Sequence, residues 1–330
     1  MRKFIGSEYG ALDAFTLSEG EIPQPAEGEV RLKVEATALG FVDGLIASGR
    51  YQIRPPLPYV PGGEIAGTVD ATGPGVDAVQ VGDRVVTWQL GGGLAEYVTV
   101  EAHAVDQIPA GLEATIAAAI AAAMLVDYQT AHYALFERGQ VRPGETVLVL
   151  GATGGVGSAA VQLAAQAGAF VIAAASTERK REIARQRGAA ATIDSRAPDL
   201  RMQLKAAAPR GSVDVIVDPV GGETFEAMFR SLAKEGRHLV LGFAGGSIPS
   251  LPANLPLLKS ASLVGVTIRH FLASQPAKAQ EVRTALFESI VSGTLRAPPI
   301  ITFPLERAAD ALAATMQRDK AGKIVVLPAG

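Results

Sequence analysis

Residues Gly151-Ala152-Thr153-Gly154-Gly155-Val156-Gly157 constrain this chain more than any other segment because of what stands on either side of them. The apolar run from Thr146 to Leu150 precedes them and reads as a buried strand. Ser158 to Ala167, with Ala159, Ala160, Leu163 and Ala164, follows as a helix. Glycines let a backbone turn sharply out of a strand and approach a ligand closely, and the next helix offers its free N–H groups and positive dipole end to an anion. Strand, glycine loop and helix in that order form the phosphate-binding element of a dinucleotide fold. Gly139 to Thr146 has the spacing of a nucleoside-triphosphate loop, but Glu145 stands where a lysine must meet the phosphates, so it reads as a turn.

The surroundings extend that element into a domain. Strand-like runs at Val147 to Leu150, Val171 to Ala174, Val213 to Val217, His238 to Leu241 and Leu263 to Val266 alternate with helical stretches such as Ser158 to Ala167 and Glu178 to Gln186. That alternation predicts a doubly wound parallel sheet of the Rossmann kind, over residues 126–267. The first third is different: Val30-Arg31-Leu32-Lys33-Val34, Asp83 to Trp88 and Ala95 to Val100 alternate apolar and polar residues between Gly and Pro, as antiparallel β structure does. An alanine-rich helical stretch runs from about Leu112 toward Gly139, and the tail reads as helix (Ala277 to Ser292), strand (Ile300 to Phe303), helix (Leu305 to Met316) and strand (Ile324 to Leu327). Residues 1–125 and 268–330 are therefore expected to form a second, β-rich domain. At 330 residues, two domains with a pocket where they meet is the expectation.

Several function classes are disfavoured. A net charge of −3 with interspersed signs gives no electropositive footprint for nucleic acid. The longest apolar run, Ile116 to Val126, is too short to span a bilayer, and MRKFIGSEYG carries no apolar stretch of a signal peptide, so a cytoplasmic protein without membrane partners is expected. There is no cysteine, which removes disulfides, thiolate nucleophiles, Cys-ligated zinc and iron–sulfur clusters together. The four histidines, His103, His132, His238 and His270, are left without thiolate partners for a metal. There is no Gly-X-Ser-X-Gly elbow for a serine hydrolase.

The strand after the glycine loop bears on which dinucleotide binds. An NAD site places Asp or Glu about 20 residues on, to take the ribose hydroxyls, but Ala173-Ala174-Ala175-Ser176 has none there. Thr177, Arg179, Lys180 and Arg181 follow directly. A cation on a 2′-phosphate is a charge-assisted pair worth roughly 1.5–3 kcal/mol. NADPH is the expected cofactor, with Ser176, Arg179 and Lys180 at its 2′-phosphate.

Four motifs, Pro61-Gly62-Gly63-Glu64-Ile65-Ala66-Gly67, Val81-Gly82-Asp83-Arg84-Val85, Gly151 to Gly157 and Asp218-Pro219-Val220-Gly221-Gly222, make the chain resemble the medium-chain dehydrogenase/reductase superfamily over nearly its whole length. Within it the chain is similar to the zinc-independent quinone oxidoreductase, or zeta-crystallin-like, group. The resemblance implies an α/β Rossmann domain joined to a GroES-like catalytic domain, and a homodimer. It places Thr130 near the nicotinamide, Gly242, Phe243 and Ala244 along its crevice, Val266 and Thr267 at its carboxamide, and Arg318 at the adenosine phosphate. In the glycine loop it assigns Gly151, Gly154, Gly155, Val156 and Gly157 to the cofactor. Zinc alcohol dehydrogenases of the superfamily carry a zinc-ligating histidine where this chain has Gly63. Without that Lewis acid, alcohol oxidation loses its main device, and quinones or activated alkenes become the expected acceptors.

Tyr51 matches a tyrosine of the family's substrate cleft, where a phenol can hydrogen-bond a quinone oxygen; packing in the Arg50 to Tyr59 loop is the other reading. Gly40, Leu45 and Ser195 depart from the family's Asn, Tyr and Tyr at those places. Asp43, Glu64, Asp83 and Arg84 read as structural. Two rivals to an NADPH-dependent quinone reductase stand. One is an NADPH-dependent reductase of enones or enoyl-CoA esters, with Arg50, Arg54 and Arg269 toward the CoA phosphates. The other is a non-catalytic NADPH-binding protein of the crystallin kind.

Overall fold

The structure is a computed structural model that describes residues 1–112, 117–317, 320 and 322–328. The chain divides into two compact units, Met1–Val126 with Thr284–Gly330, and Asp127–Arg283.

In the first unit, β1 (Arg2–Gly6) and β2 (Phe15–Glu19) form an antiparallel pair. A larger sheet is built from β3 (Glu29–Leu39), β4 (Glu64–Thr72), β5 (Arg84–Trp88), β6 (Tyr97–Glu101) and β7 (Val105–Gln107), with helix α1 (Phe41–Ala47) between β3 and β4. The period of two in β3 explains its role: Val30, Leu32 and Val34 are buried while Arg31 and Lys33 face the other way. Helix α2 (Ala117–His132) follows, and the unit boundary falls after its Val126. Its Ala118, Ala119, Ala121, Ala122, Ala123 and Leu125 are buried in one core with Ala36, Ala66 and Val86, as expected of the alanine-rich run.

The second unit continues through a π-helical turn at Tyr133–Arg138. Strands and helices then alternate: β8 (Thr146–Val149), α3 (Gly155–Gln166), β9 (Phe170–Ala175), α4 (Glu178–Gln186), β10 (Ala191–Asp194), α5 (Leu200–Ala207), β11 (Val213–Asp218), α6 (Phe225–Phe229), β12 (Leu232–Val240), α7 (Asn254–Lys259) and β13 (Ser262–Gly265). The strands are all parallel, in the order β10-β9-β8-β11-β12-β13. Helices on both faces explain why β8 is buried at every position. Strand order reverses between β8 and β11, which opens a crevice at their carboxyl ends, where ligands of such sheets bind.

Helices α8 (Ile268–Ser274) and α9 (Pro276–Val291) come next. The sequence pattern ended this unit at residue 267, whereas the structure carries it to Arg283. Side-chain contacts explain the difference. Phe271 is fully buried and stacks on Tyr133 at 4.5 Å, Gln129 donates to the Ala279 carbonyl at 2.7 Å, and Lys278 meets Glu137 at 2.7 Å.

The tail returns to the first unit as β14 (Ile300–Pro304), α10 (Ala308–Thr315) and β15 (Lys323–Leu327). β15 runs antiparallel to β3 and parallel to β14, completing the sheet β14-β15-β3-β4-β5-β7, with β6 paired to β3. Arg318 lies outside the described residues. Among the described residues no helix is long and apolar enough to cross a membrane.

Candidate active site

The glycine loop sits at the strand-order reversal. Gly151 leaves β8 with φ +57°, the left-handed region, and the Ala152 amide donates to the Ala174 carbonyl of β9 at 3.2 Å. Helix α3 starts at Gly155 with Gly154 as its extended N-cap. The amides of Gly155, Val156 and Gly157 form its first turn, which has no carbonyl one turn earlier to accept from them. A Cβ on Gly157 would collide with the Gly151 carbonyl oxygen, so a side chain there would force the loop open. A Cβ on Gly155 would collide with the carboxylate of Asp127, a residue of α2 that the sequence pattern did not single out. The backbone thus shapes a cradle suited to a diphosphate.

Other residues expected to contact the cofactor belong to the same unit. Thr130, one turn after Asp127 on α2, is buried, and its Oγ1 has no partner among the described residues. Pro219 and Val220 join two loops: Val220 approaches Gly151, while the Pro219 and Val220 carbonyls accept from Ala244 at 3.1 Å and Gly245 at 2.8 Å. Gly242, Phe243 and Ala244 are thereby held beside the glycine loop, with Phe243 and Ala244 exposed. The Val266 amide donates to the Val240 carbonyl at 3.0 Å; Val266 is buried and Thr267 exposed.

The turn that carries Pro219 and Val220 is fixed from below. Asp218 Oδ1 accepts from the amides of Val220 and Gly221, both at 2.8 Å, and Oδ2 lies 2.9 Å from His238 Nε2. Asp218 and His238 are fully buried, and the imidazole lies 4.3 Å from the Phe225 ring. His238 Nδ1 has no partner among the described residues, an arrangement that calls for the tautomer with its proton on Nε2. The sequence offered His238 only as a histidine without thiolate partners; its carboxylate partner lies 20 residues away, at the end of the neighbouring strand β11.

At the end of β9, Ser176 is partly buried, Arg179 exposed and Lys180 buried. Thr177 caps α4, its hydroxyl accepting from the Lys180 amide at 3.3 Å. Arg181 is engaged with Glu178 at 2.9 Å and Asp194 at 3.4 Å. Hydrogen bonds from Arg185 and then Arg181 hold the Glu178 carboxyl below the usual carboxylate range.

In the first unit Tyr51 is partly buried against the cluster of Phe4, Leu39 and Tyr59. Its hydroxyl has no hydrogen-bond partner among the described residues. Arg50 and Arg54 are exposed in the same loop, donating to Ser48 Oγ at 3.1 Å and the Gly49 carbonyl at 2.9 Å. Asp43 caps α1 by accepting from the Gly40 amide at 2.7 Å; burial pushes its carboxyl up, against that bond and the charge of Lys323. Glu64 Oε1 lies 2.6 Å from Lys323 Nζ, both side chains 5% exposed, and Glu64 Oε2 accepts from the Val126 amide at 3.0 Å. Arg84 pairs with Glu35 at 3.0 Å, and Asp83 accepts from the Gln80 amide at 3.0 Å.

These residues do not fit a zinc ion. A side chain at Gly63 would drive its Cβ into the Gln89 carbonyl oxygen, and the ammonium of Lys323 already faces the adjacent Glu64. No group of three or more His, Asp or Glu able to hold a metal occurs among the described residues.

Comparison with known proteins agrees with this layout. The alcohol dehydrogenase GroES-like domain matches residues 26–110, and the zinc-binding dehydrogenase domain matches residues 155–286. The chain is 37% identical to quinone oxidoreductase-like protein 2 of Mus musculus over 299 residues, 90% of this chain and 84% of that protein. It resembles the crystal structure of Escherichia coli quinone oxidoreductase complexed with NADPH, with TM-score 0.90, 27% identity and coverage of 99% and 100% of the two chains. It also resembles the crystal structure of CurK enoyl reductase, with TM-score 0.86, 27% identity and coverage of 99% and 98%.

Proposed function

The chain belongs to the quinone oxidoreductase-like branch of the medium-chain dehydrogenases/reductases, and from that premise we propose that it reduces a quinone at the expense of NADPH without a metal ion. The observation that carries this reading is the α3 cradle, shaped by the close approaches at Gly155 and Gly157 and placed at the strand-order reversal. It is an NADPH-dependent oxidoreductase acting on a small molecule. Bound NADPH supplies a hydride from its nicotinamide; the protein supplies binding and orientation.

The amides of Gly155, Val156 and Gly157 bind the pyrophosphate, with Gly151 and Gly154 setting the loop. Ser176, Arg179 and Lys180 take the 2′-phosphate, and Arg318 assists at the adenosine phosphate. Thr130, whose buried hydroxyl lacks a partner among the described residues, donates to the nicotinamide half. Gly242, Phe243 and Ala244 wall the ring, and Val266 and Thr267 meet its carboxamide. Tyr51 donates its phenolic hydrogen bond to the reacting oxygen, which helps a quinone accept charge where no Lewis acid is present. A homodimer would form along the exposed edge strand β13, where Leu263 and the nearby Leu257 and Leu258 are exposed.

Similarity to an enoyl reductase supports a second reading, in which the same residues would orient NADPH so that its hydride goes to the polarised alkene of an enoyl thioester. NADPH oxidation followed by absorbance, with a panel of quinones and enoyl-CoA esters, tests both. Turnover with quinones alone is the expected result. Activity confined to enoyl esters would transfer the site to alkene reduction, and tight NADPH binding with no turnover would point to a non-catalytic protein.

A further inference from the structure

The corner assigned to the 2′-phosphate holds two carboxylates as well as cations. Asp194, the last residue of β10, lies in register with Ala175 at the end of β9, and Glu178 opens α4. Asp194 therefore stands on the neighbouring strand beside the end of β9, which itself carries no acid. One guanidinium meets both carboxylates: Arg181 Nη2 lies 2.9 Å from Glu178 Oε2, and Nη1 lies 3.4 Å from Asp194 Oδ2. Nη1 also donates to the Ala175 carbonyl at 3.2 Å, which anchors the guanidinium under the strand end. Arg181 is 16% exposed at its side chain, against 37% for Asp194. The Arg196 amide fixes the other oxygen of Asp194 at 2.9 Å.

We propose that Arg181 is a specificity-determining residue that sets the preference for a 2′-phosphate over a 2′-hydroxyl by cancelling Asp194, without binding the phosphate itself. The inference rests on the NADPH reading above. Its donors are turned to Glu178, Asp194 and the Ala175 carbonyl, so its action on a ligand is electrostatic. Glu178 has a second cation in Arg185 at 2.9 Å, so Asp194 is the carboxylate that loss of Arg181 would expose. An uncancelled carboxylate there repels a phosphate dianion and accepts hydrogen bonds from ribose hydroxyls, the chemistry by which acidic residues select NADH.

The test is calorimetric binding of adenosine 2′,5′-bisphosphate and adenosine 5′-monophosphate to the full chain, in the wild type, Arg181→Gln, Arg181→Lys, Asp194→Asn and the Arg181→Gln/Asp194→Asn double variant. The wild type is expected to prefer the bisphosphate. Arg181→Gln should reduce that preference about tenfold, the order expected from uncancelling one unit charge several ångströms from the phosphate, and the added Asp194→Asn should restore most of it. Arg181→Lys, which keeps the charge and provides a readout should the Gln variant fold poorly, should retain the preference. A wild-type preference that survives Arg181→Gln, or that Asp194→Asn fails to restore, would overturn the inference alone. A wild type with no preference would overturn the NADPH reading, and this inference with it.

Discussion

The two units solve the problem of placing polar groups inside a protein in opposite ways. In Asp127–Arg283 the candidate cofactor cradle is made of backbone: amides of a helix start, held close by glycines whose Cβ atoms would collide with neighbours. In the unit of Met1–Val126 and Thr284–Gly330 the buried polar groups include the titratable side chains of Asp43, Glu64 and Lys323. Backbone amides cost little to bury when a ligand satisfies them, whereas a buried charge requires its partner at all times. One unit should therefore be sensitive at its glycines and the other at its pairs.

The largest effect is expected from Lys323→Met, which leaves Glu64 buried opposite an uncharged side chain. Thermal and denaturant unfolding should show a loss of about 3–5 kcal/mol, while Glu64→Leu/Lys323→Met together should recover most of it. If the single and double variants are equally unstable, the pair is not the unit of stability and the contrast fails. Next comes Gly157→Ala, where the added Cβ must push against the Gly151 carbonyl. Its cost of about 1–3 kcal/mol should appear as a ten- to hundredfold weaker NADPH dissociation constant, read by fluorescence titration, with the fold retained.

His238→Leu tests whether the backbone site also leans on a buried pair. It removes the partner of Asp218 Oδ2 but leaves the two amides on Oδ1, so a cost of about 1–2 kcal/mol is expected. It should raise KM for NADPH several-fold with a smaller change in kcat, since the Val220 turn touches both the glycine loop and the loop of Gly245, the two proposed to hold the cofactor. An unchanged KM would separate His238 from the site.

The smallest effect is in pH dependence, where two acids should have opposite signs. Asp43 is pushed above its ordinary 3.8 by burial, so its contribution to stability is full below that value and is lost as pH rises through its native value. Glu145 is pushed up by burial but held below its ordinary 4.5 by the Arg237 guanidinium; its contribution is full above 4.5 and is lost as pH falls through its native value. Urea midpoints from about pH 3 to 7 should show Asp43→Asn and Glu145→Gln altering the profile with opposite slopes. Slopes of one sign would remove the distinction.

Much of the fold was legible because its signals are local. Helix α4 runs over the residues its pattern marks, and the strand before the glycine loop ends within one residue of its expected end. Strand β10 escaped notice because Ala191-Thr192-Ile193-Asp194 is too short to show a period. That omission also hid Asp194 from the corner proposed for the 2′-phosphate.

By itself the sequence determined the absence of cysteine, which is composition, and the alternation of strands and helices and the glycine loop, since those two are properties of neighbouring residues. Only the tertiary structure decided which charges meet. Glu64 and Lys323 are 259 residues apart, Asp218 and His238 are 20, and Asp127 reaches Gly155 from a different helix. Periodicity and turn chemistry act over a few residues of chain, whereas Coulomb and contact forces act over ångströms of space, and folding alone converts one distance into the other.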